Sequence, residues 1–282
     1  MMAREAELFA DLASGQHAVS AAGGWQLDYA RLVARRGQVV DMLVGGVEQL
    51  LSALGVVRVA GKGALGGPGR VSVEGADGTL ELDAGSIILA TGSEPAALPV
   101  PGAELAGVLS SDGLLALGEL PESLVVIGAG VVGLELASIL AALGTRVSVL
   151  DLEFFLREVD PQLAKRLRAT LVKRGIEIEI GVQVHEIVQQ ADDLLEVRYL
   201  KGDQPAVQRG QWVLVATGRW PYSAGLGLER AGVRMTGRAI TVDQHLQTSA
   251  PGVYAVGDCI GGTLLAHVAT YEAEVAVDNI LV

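Results

Sequence analysis

Apolar residues recur first at a helical period, then at a strand period, and then in alternation between the two. Residues 3–13 read as an amphipathic helix, followed by the loose segment SGQHAVSAAGG at 14–24. Asp28 is an N-cap candidate for a long helix on which Leu32, Val33, Val40, Leu43, Val44, Val47, Leu50, Leu51 and Leu54 recur near helical period. Gly55 is its C-cap, and the pair Gly45-Gly46 weakens its middle. VVRVAG (56–61), RVSVEG (70–75) and TLELDA (79–84) alternate as strands do, with Ala76-Asp77-Gly78 joining the last two into a hairpin. SIILATG (86–92) is a short apolar strand that runs into a glycine turn.

The pattern changes at GELPES. LVVIG (124–128) is a strand, VVGLELASILAALG a helix, RVSVLD a strand, PQLAKRLRATLVKRG a helix and IEIEI a strand. Leu163, Leu167 and Leu171 form the apolar stripe of the second helix, and Gly175 caps it. This βαβαβ run predicts a parallel sheet with helices on its faces, so the fold class is α/β. SIILATG and WVLVATG (212–218) share one form, an apolar strand followed by Ala-Thr-Gly, as two similarly built nucleotide-binding units would.

Half of the 282 residues are apolar, enough for one large or two ordinary domains, and the 37 glycines against 4% aromatics suit an α/β protein with many tight turns. The net charge of −12 repels phosphate backbones and anionic lipid, so neither nucleic acid nor a membrane surface is an expected partner. No apolar run reaches the length of about 18 residues that a spanning helix needs. The acidic start MMAREAELFADL lacks the basic region and apolar core of a signal peptide, which makes a cytoplasmic protein the default. Cys259 is the single cysteine, so neither an internal disulfide nor a cysteine-based metal site of usual spacing is available.

Gly128-Ala129-Gly130-Val131-Val132-Gly133 fits G-x-G-x-x-G, follows a predicted strand and opens a predicted helix. Gly128 permits the tight turn, Gly130 a close approach of pyrophosphate, and Gly133 close packing of helix on strand. The helix N-terminus then offers N–H groups and the positive end of its dipole to phosphate. Asp151 ends the next strand at the spacing of a ribose-binding acid. It would accept bonds from the 2′- and 3′-hydroxyls and repel a 2′-phosphate, favouring NAD over NADP, while nearby Arg157 softens that preference. The bland alternatives are a purely structural glycine turn and a solvated strand-end acid. A second strand, VYAVG, ends at Asp258, which could also be a plain helix N-cap.

LVVIGAGVVGLELAS, VLVATGRWPYSAGLGLERAGV and GVYAVGDCIGGTLLAHVA together resemble the two-dinucleotide-binding flavoprotein disulfide reductases, the pyridine nucleotide-disulfide oxidoreductases of the dihydrolipoamide dehydrogenase type. The likeness is collinear from the long helix to the end of the chain. It implies two Rossmann-like domains, an NAD domain at 119–240 inserted in an FAD domain formed by 1–118 and 241–282. It implies FAD contacts at Gly63, at Thr91, Gly92 and Ser93, at Asp258 on the ribityl chain, and at Leu264, Leu265, Ala266 and His267 along the flavin. It implies NAD contacts at Gly128, Ala129, Gly130, Val131, Val132, Gly133, Leu134, Glu135, Asp151, Val184 and Gly218, with Val131 over the isoalloxazine. His267 could be a general base, but the family uses that position to line the flavin.

The resemblance is partial. The family's first G-x-G-x-x-G, its C-x4-C redox pair with P-S-K, and its C-terminal dimerisation domain with a His–Glu pair have no match here. Cys259 lies in a GDC turn and reads as a small buried thiol. The implied reaction passes electrons between NAD(H), FAD and a small dithiol. The expectation is a truncated chain inactive alone, poorly soluble, and without stoichiometric FAD. A nucleotide-binding module, or a relative of mercuric reductase or of NAD(P) transhydrogenase, are the alternatives.

Overall fold

The computed structural model describes residues 1–15, 24–157 and 159–282. The expected loose segment at 14–24 falls mostly outside these residues. The chain divides into two compact units, one of residues 1–49 and 95–218 and the other of residues 50–94 and 219–282.

The opening helix α1 spans Met2–Ala13 and the long helix α2 spans Tyr29–Ala53. Asp28 caps α2 as expected, its Oδ1 accepting the Arg31 N–H at 2.9 Å. Gly55, at φ +71°, ends it in the left-handed conformation while the Val56 N–H returns to Leu51 O. The Gly45-Gly46 pair does not interrupt the helix. Leu32 packs into the core, but Val40, Leu43, Val44, Val47, Leu50 and Leu54 of the same stripe are exposed.

In the second unit β1 (Lys62–Gly67), β2 (Arg70–Gly75) and β3 (Gly78–Asp83) form an antiparallel meander. The strand expected at 56–61 is not there; the chain pairs at 62–67 instead. Register explains the shift: Lys62 pairs with Glu74 and Gly67 with Arg70, so the hairpin closes across Pro68-Gly69. Val56, Val57 and Val59 have no partner strand and stay exposed. β4 (Ile87–Leu89) is short and pairs in parallel with β17 (Val253–Ala255), while β5 (Ser93–Pro95) pairs with β14 (Arg219–Pro221). The short helix α6 (Leu228–Ala231), the strand pair β15 (Met235–Thr236) and β16 (Ala239–Ile240), a 3-10 turn at Gly257–Ile260 and the helix α7 (Ala266–Leu281) complete the unit. Leu65, Leu228, Ile240, Val253, Ala255 and Cys259 form its core.

The first unit is built on the parallel sheet expected from the βαβαβ pattern. The strands are β6 (Val108–Leu109), β7 (Ser123–Ile127), β8 (Arg146–Asp151), β9 (Glu177–Ile180) and β13 (Trp212–Val215), in the order β6-β13-β7-β8-β9. A short helix α3 (Ser111–Leu115) precedes β7, α4 (Val131–Leu143) links β7 to β8, and α5 (Pro161–Lys173) links β8 to β9. Val125, Val126, Val149 and Leu214 are fully buried, each contributing about 1.5–3 kcal/mol of apolar transfer. α4 is buried along most of its length, including Gly133, Leu134, Leu136, Ala137 and Leu140.

The expected stripe of α5 needs correcting. Leu171 is 3% exposed, but Leu163 is 58% and Leu167 40% exposed, and the buried line runs from Ala164 to Leu171. Helical geometry gives the reason. At about 100° per residue, two steps of four drift some 80° around the helix, whereas one step of seven returns within about 20°. The pattern also left unread a three-stranded antiparallel sheet of β10 (Val182–Gln189), β11 (Leu195–Lys201) and β12 (Gln204–Gly210). Its inner face, with Val182, Ile187, Leu195, Val197 and Tyr199, packs against Val125 and Ile127 of the parallel sheet.

Candidate functional site

The glycine turn between β7 and α4 is held from several directions. Gly128 has φ +116°, and a Cβ there would lie 2.3 Å from Ala216 O. A Cβ on Gly133 would lie 2.3 Å from Gly128 O and 3.2 Å from Val126 Cγ1. These two glycines are therefore demanded by packing against the turn itself. Gly130 is different. It has φ −80°, and a Cβ there would meet nothing within 4 Å, because it faces open space.

Gly130 is also the N-cap of α4, with no side chain capping it. Leu134 is the first residue whose N–H bonds back along the helix, at 3.0 Å to Gly130 O, so the N–H groups of Val131, Val132 and Gly133 point out of the helix end. α5 shows the usual alternative: Asp160 accepts from Gln162 N and Leu163 N, at 2.9 and 3.2 Å. An uncapped end beside a cavity is a place for an anion.

Asp151 closes the turn. Its Oδ2 accepts the Ala129 N–H at 2.6 Å, and its Oδ1 accepts those of Glu153 and Phe154 at 2.9 and 3.1 Å. Ala129 O in turn accepts the Leu156 N–H at 3.0 Å. Asp151 is thus more than a solvated strand-end acid. It braces the glycine turn, and Oδ2, which accepts one bond where Oδ1 accepts two, keeps a lone pair free.

That cavity has a volume of about 620 Å³ and lies at the carboxyl ends of β7 and β8, within the size range of small-molecule sites. Of the residues expected at NAD, Gly128, Ala129, Gly130, Asp151, Val184 and Gly218 line it. Val131, Val132, Gly133, Leu134 and Glu135 do not; Val131 and Glu135 are exposed on α4, and Leu134 is in the core. The sequence reading missed Leu98, Pro99, Val100, Phe154, Gln183 and Thr217, which also line it. Thr217 lay inside the repeated Ala-Thr-Gly form, whereas the Leu-Pro-Val segment carried no signal. Arg157 lies 5.2 Å from the centroid of the Phe154 ring, both on the cavity wall.

The second unit holds a different constellation. Asp258 follows β17 in the 3-10 turn, and its Oδ2 accepts the Ser93 hydroxyl at 2.6 Å. Arg219 donates through Nε to Ser93 Oγ and through Nη2 to Ser93 O, both at 2.7 Å. The Thr91 hydroxyl donates to Tyr222 O at 2.6 Å, and Gly92 takes φ +70°. Leu264, Leu265, Ala266 and His267 form an exposed run at the N-terminus of α7, and Gly63 is exposed on β1. Glu272, which the sequence reading did not single out, accepts the Gly257 N–H at 2.7 Å and so secures the Gly-Asp-Cys turn. Cys259 is fully buried, its Sγ 3.2 Å from Val256 O and 3.4 Å from Leu89 O. Among the described residues no group of His, Cys, Asp and Glu could hold a metal ion.

A glycine turn at the carboxyl end of a parallel strand with an acid beside it is the arrangement of a dinucleotide-binding fold, and comparison with known proteins gives the family. The model described as pyridine nucleotide-disulphide oxidoreductase matches residues 5–273, and the chain belongs to that family. It is 37% identical over 258 residues to dihydrolipoyl dehydrogenase 3 of Pseudomonas aeruginosa, covering 90% of this chain and 55% of that protein. It is 33% identical over 259 residues to dihydrolipoyl dehydrogenase of Bacillus subtilis, covering 92% of this chain and 56% of that protein. The chain therefore spans about half the length of these relatives. Among solved structures, the Cu(II) complex of a mutant of RclA, an HOCl-induced flavoprotein disulfide reductase from Escherichia coli, superposes with TM-score 0.88 at 27% identity, over 99% of this chain and 59% of that one. LpdA from Mycobacterium tuberculosis gives TM-score 0.86 at 29% identity, over 99% and 61%. The family uses FAD and NAD(H), and the α/β expectation holds.

Proposed function

We propose that this chain places NAD(H) and FAD for electron transfer in an oxidoreductase of the dihydrolipoyl dehydrogenase type, acting on a small dithiol. The observation that carries the reading is the uncapped N-terminus of α4, opening beside Asp151 onto the cavity of about 620 Å³. The residues present suit a dinucleotide: the space in front of Gly130 admits a pyrophosphate, and the N–H groups of Val131, Val132 and Gly133 compensate its charge. Asp151 accepts from a ribose hydroxyl with the Oδ2 lone pair that the turn leaves over, which favours NAD over NADP, while Arg157 is the nearby cation on the wall. Val184 and Gly218 also line the cavity. Val131 and Glu135, exposed on α4, are further positions proposed for NAD(H).

On the flavin side, Asp258 offers an oxygen, Oδ1, that accepts no hydrogen bond from any described residue. It is assigned to the ribityl hydroxyls. The exposed run of Leu264, Leu265, Ala266 and His267 supplies a surface for the ring, and Gly63, Thr91, Gly92 and Ser93 complete the FAD side. NAD(H) and FAD, when bound, supply the hydride and electron chemistry, and the protein supplies their placement. The domain boundaries assigned are 1–118 and 241–282 for FAD and 119–240 for NAD. With one cysteine, these 282 residues hold no dithiol pair to cycle, so they do not turn over dihydrolipoamide by themselves. A thiol-bearing segment or chain is the required partner, a second copy the assembly expected of the family, and the cytoplasm the location proposed. Among the described residues no helix is long and apolar enough to cross a membrane.

Calorimetric titration with NADH tests the reading. Wild type binds, and Gly130→Asp binds about a hundredfold more weakly, since a carboxylate there meets the pyrophosphate. Equal binding by both proteins, or tighter binding of NADPH than of NADH, would overturn it.

A further inference from the structure

We propose that Arg219 is a positioning residue: its guanidinium fixes Ser93, and the Ser93 hydroxyl fixes the Asp258 carboxylate in the rotamer that accepts the flavin's ribityl hydroxyls. The proposal rests on the reading of Asp258 as the ribityl acceptor. Three partly buried polar side chains from distant segments meet here, with 165 positions between Ser93 and Asp258 and 126 between Ser93 and Arg219.

The direction of the chain of bonds follows from donor count. A serine hydroxyl has one proton. Arg219 Nε–H occupies a lone pair of Ser93 Oγ at 2.7 Å, so that proton is directed to Asp258 Oδ2 at 2.6 Å. The second arm of the guanidinium holds Ser93 O at 2.7 Å, which fixes the serine backbone as well. A planar fork can do both at once, and a lysine ammonium on a flexible stem cannot. Among the described ion pairs none joins Arg219 to Asp258, so the influence passes through Ser93. The backbone around Asp258 is already secured, with Gly257 N donating to Glu272 Oε2 at 2.7 Å and Gly261 N to Asp258 O at 3.0 Å. The freedom left to Asp258 is its side-chain torsion, and that is what Ser93 removes. Partial burial strengthens such bonds relative to water.

FAD is titrated into the full chain and into Ser93→Ala, Ser93→Thr, Arg219→Lys, Asp258→Asn and the Ser93→Ala/Arg219→Lys double variant, following flavin fluorescence. NADH titration in parallel reports the fold. Ser93→Ala and Arg219→Lys are expected to bind FAD about tenfold more weakly, the scale of one charge-assisted hydrogen bond. The double variant should be no weaker than Ser93→Ala alone, because the two act in series. Ser93→Thr, which keeps the hydroxyl, should restore wild-type affinity, and NADH binding should be unchanged throughout. If Ser93→Ala and Arg219→Lys bind FAD as wild type does while Asp258→Asn is weakened, the relay is overturned and the ribityl reading stands. If Asp258→Asn also matches wild type, or wild type binds no FAD, the ribityl reading fails and the relay with it. Additive losses in the double variant overturn the series arrangement. Should Ser93→Ala lose NADH binding too, Arg219→Lys decides, since it keeps charge and bulk.

Discussion

Asp151 and Asp258 are both acids at the carboxyl end of a parallel strand, yet they are held in opposite ways. Asp151 takes three backbone N–H groups, two of them from residues two and three positions further on. Asp258 takes one side-chain hydroxyl, from a residue 165 positions away. The first acid is built into a local turn that would form around it wherever the sheet forms. The second depends on contacts that exist only once distant segments have met. A strand-end acid can therefore brace its own backbone or be aimed by another side chain, and the two designs fail differently under substitution.

The turn around Asp151 should break first and most severely at Gly128. Gly128→Ala places a Cβ 2.3 Å from Ala216 O at φ +116°, combining backbone strain with overpacking. A loss of about 3 kcal/mol is expected, read from urea unfolding as a shift in midpoint. Next is Gly130→Asp, two positions on, where a Cβ meets nothing within 4 Å. Its unfolding midpoint should match wild type while NADH affinity falls about a hundredfold. Should both variants lose stability alike, packing rather than ligand access would be the reason for both glycines.

Asp151→Asn separates the two tasks of that acid. The amide nitrogen cannot accept the Ala129 N–H, so the turn loses one charge-assisted bond and about 1–2 kcal/mol of stability. Removing the negative charge should at the same time narrow the preference for NADH over NADPH, measured as a ratio of dissociation constants. An unchanged ratio would assign Asp151 to the brace alone.

Glu196 gives a third way to hold an acid. It lies on β11 under Arg198 and Arg209, whose hydrogen bonds at 2.7 to 2.9 Å hold its carboxyl below the usual carboxylate range, Arg198 contributing most. The depressed value is in the folded state, so the stabilisation is present above the unfolded value, about pH 4.3, and is lost as pH falls through the folded one. Glu196→Gln should remove that part of the acid slope. Chemical denaturation of both proteins between pH 7 and pH 3 reads it, and parallel slopes would show that the arginines do not act through this carboxylate.

Much of this was legible because it is local. The βαβαβ pattern, G-x-G-x-x-G and Asp151 were all readable, since each rests on neighbours within one or two elements. What escaped is non-local. Leu98, Pro99 and Val100 reach the cavity wall only because the chain returns there, and Arg219 acquires meaning only from Ser93. The strand expected at 56–61 had the right alternation, but its place in the sheet was decided by pairing with β2. On α5 a sequence stripe at four-residue steps drifted off the buried face that Ala164 and Leu171 occupy.

The smallest effect is expected at Cys259, beside Asp258 in the turn. The thiol is fully buried and points at Val256 O and Leu89 O. A serine hydroxyl in the same place can donate to Val256 O, so Cys259→Ser exchanges an apolar contact for a stronger hydrogen bond, with a net loss of about 1 kcal/mol, or roughly 2–4 °C in melting temperature. Redox behaviour should not change at all. A lone thiol without solvent access or a second sulfur has no partner for exchange. NADH formation from NAD and dihydrolipoamide with added FAD should be at background in wild type and variant alike. Turnover in wild type that the serine abolishes would show that Cys259 is a redox group, and the distinction between an acid aimed by its surroundings and a thiol merely packed beside it would then have to be redrawn.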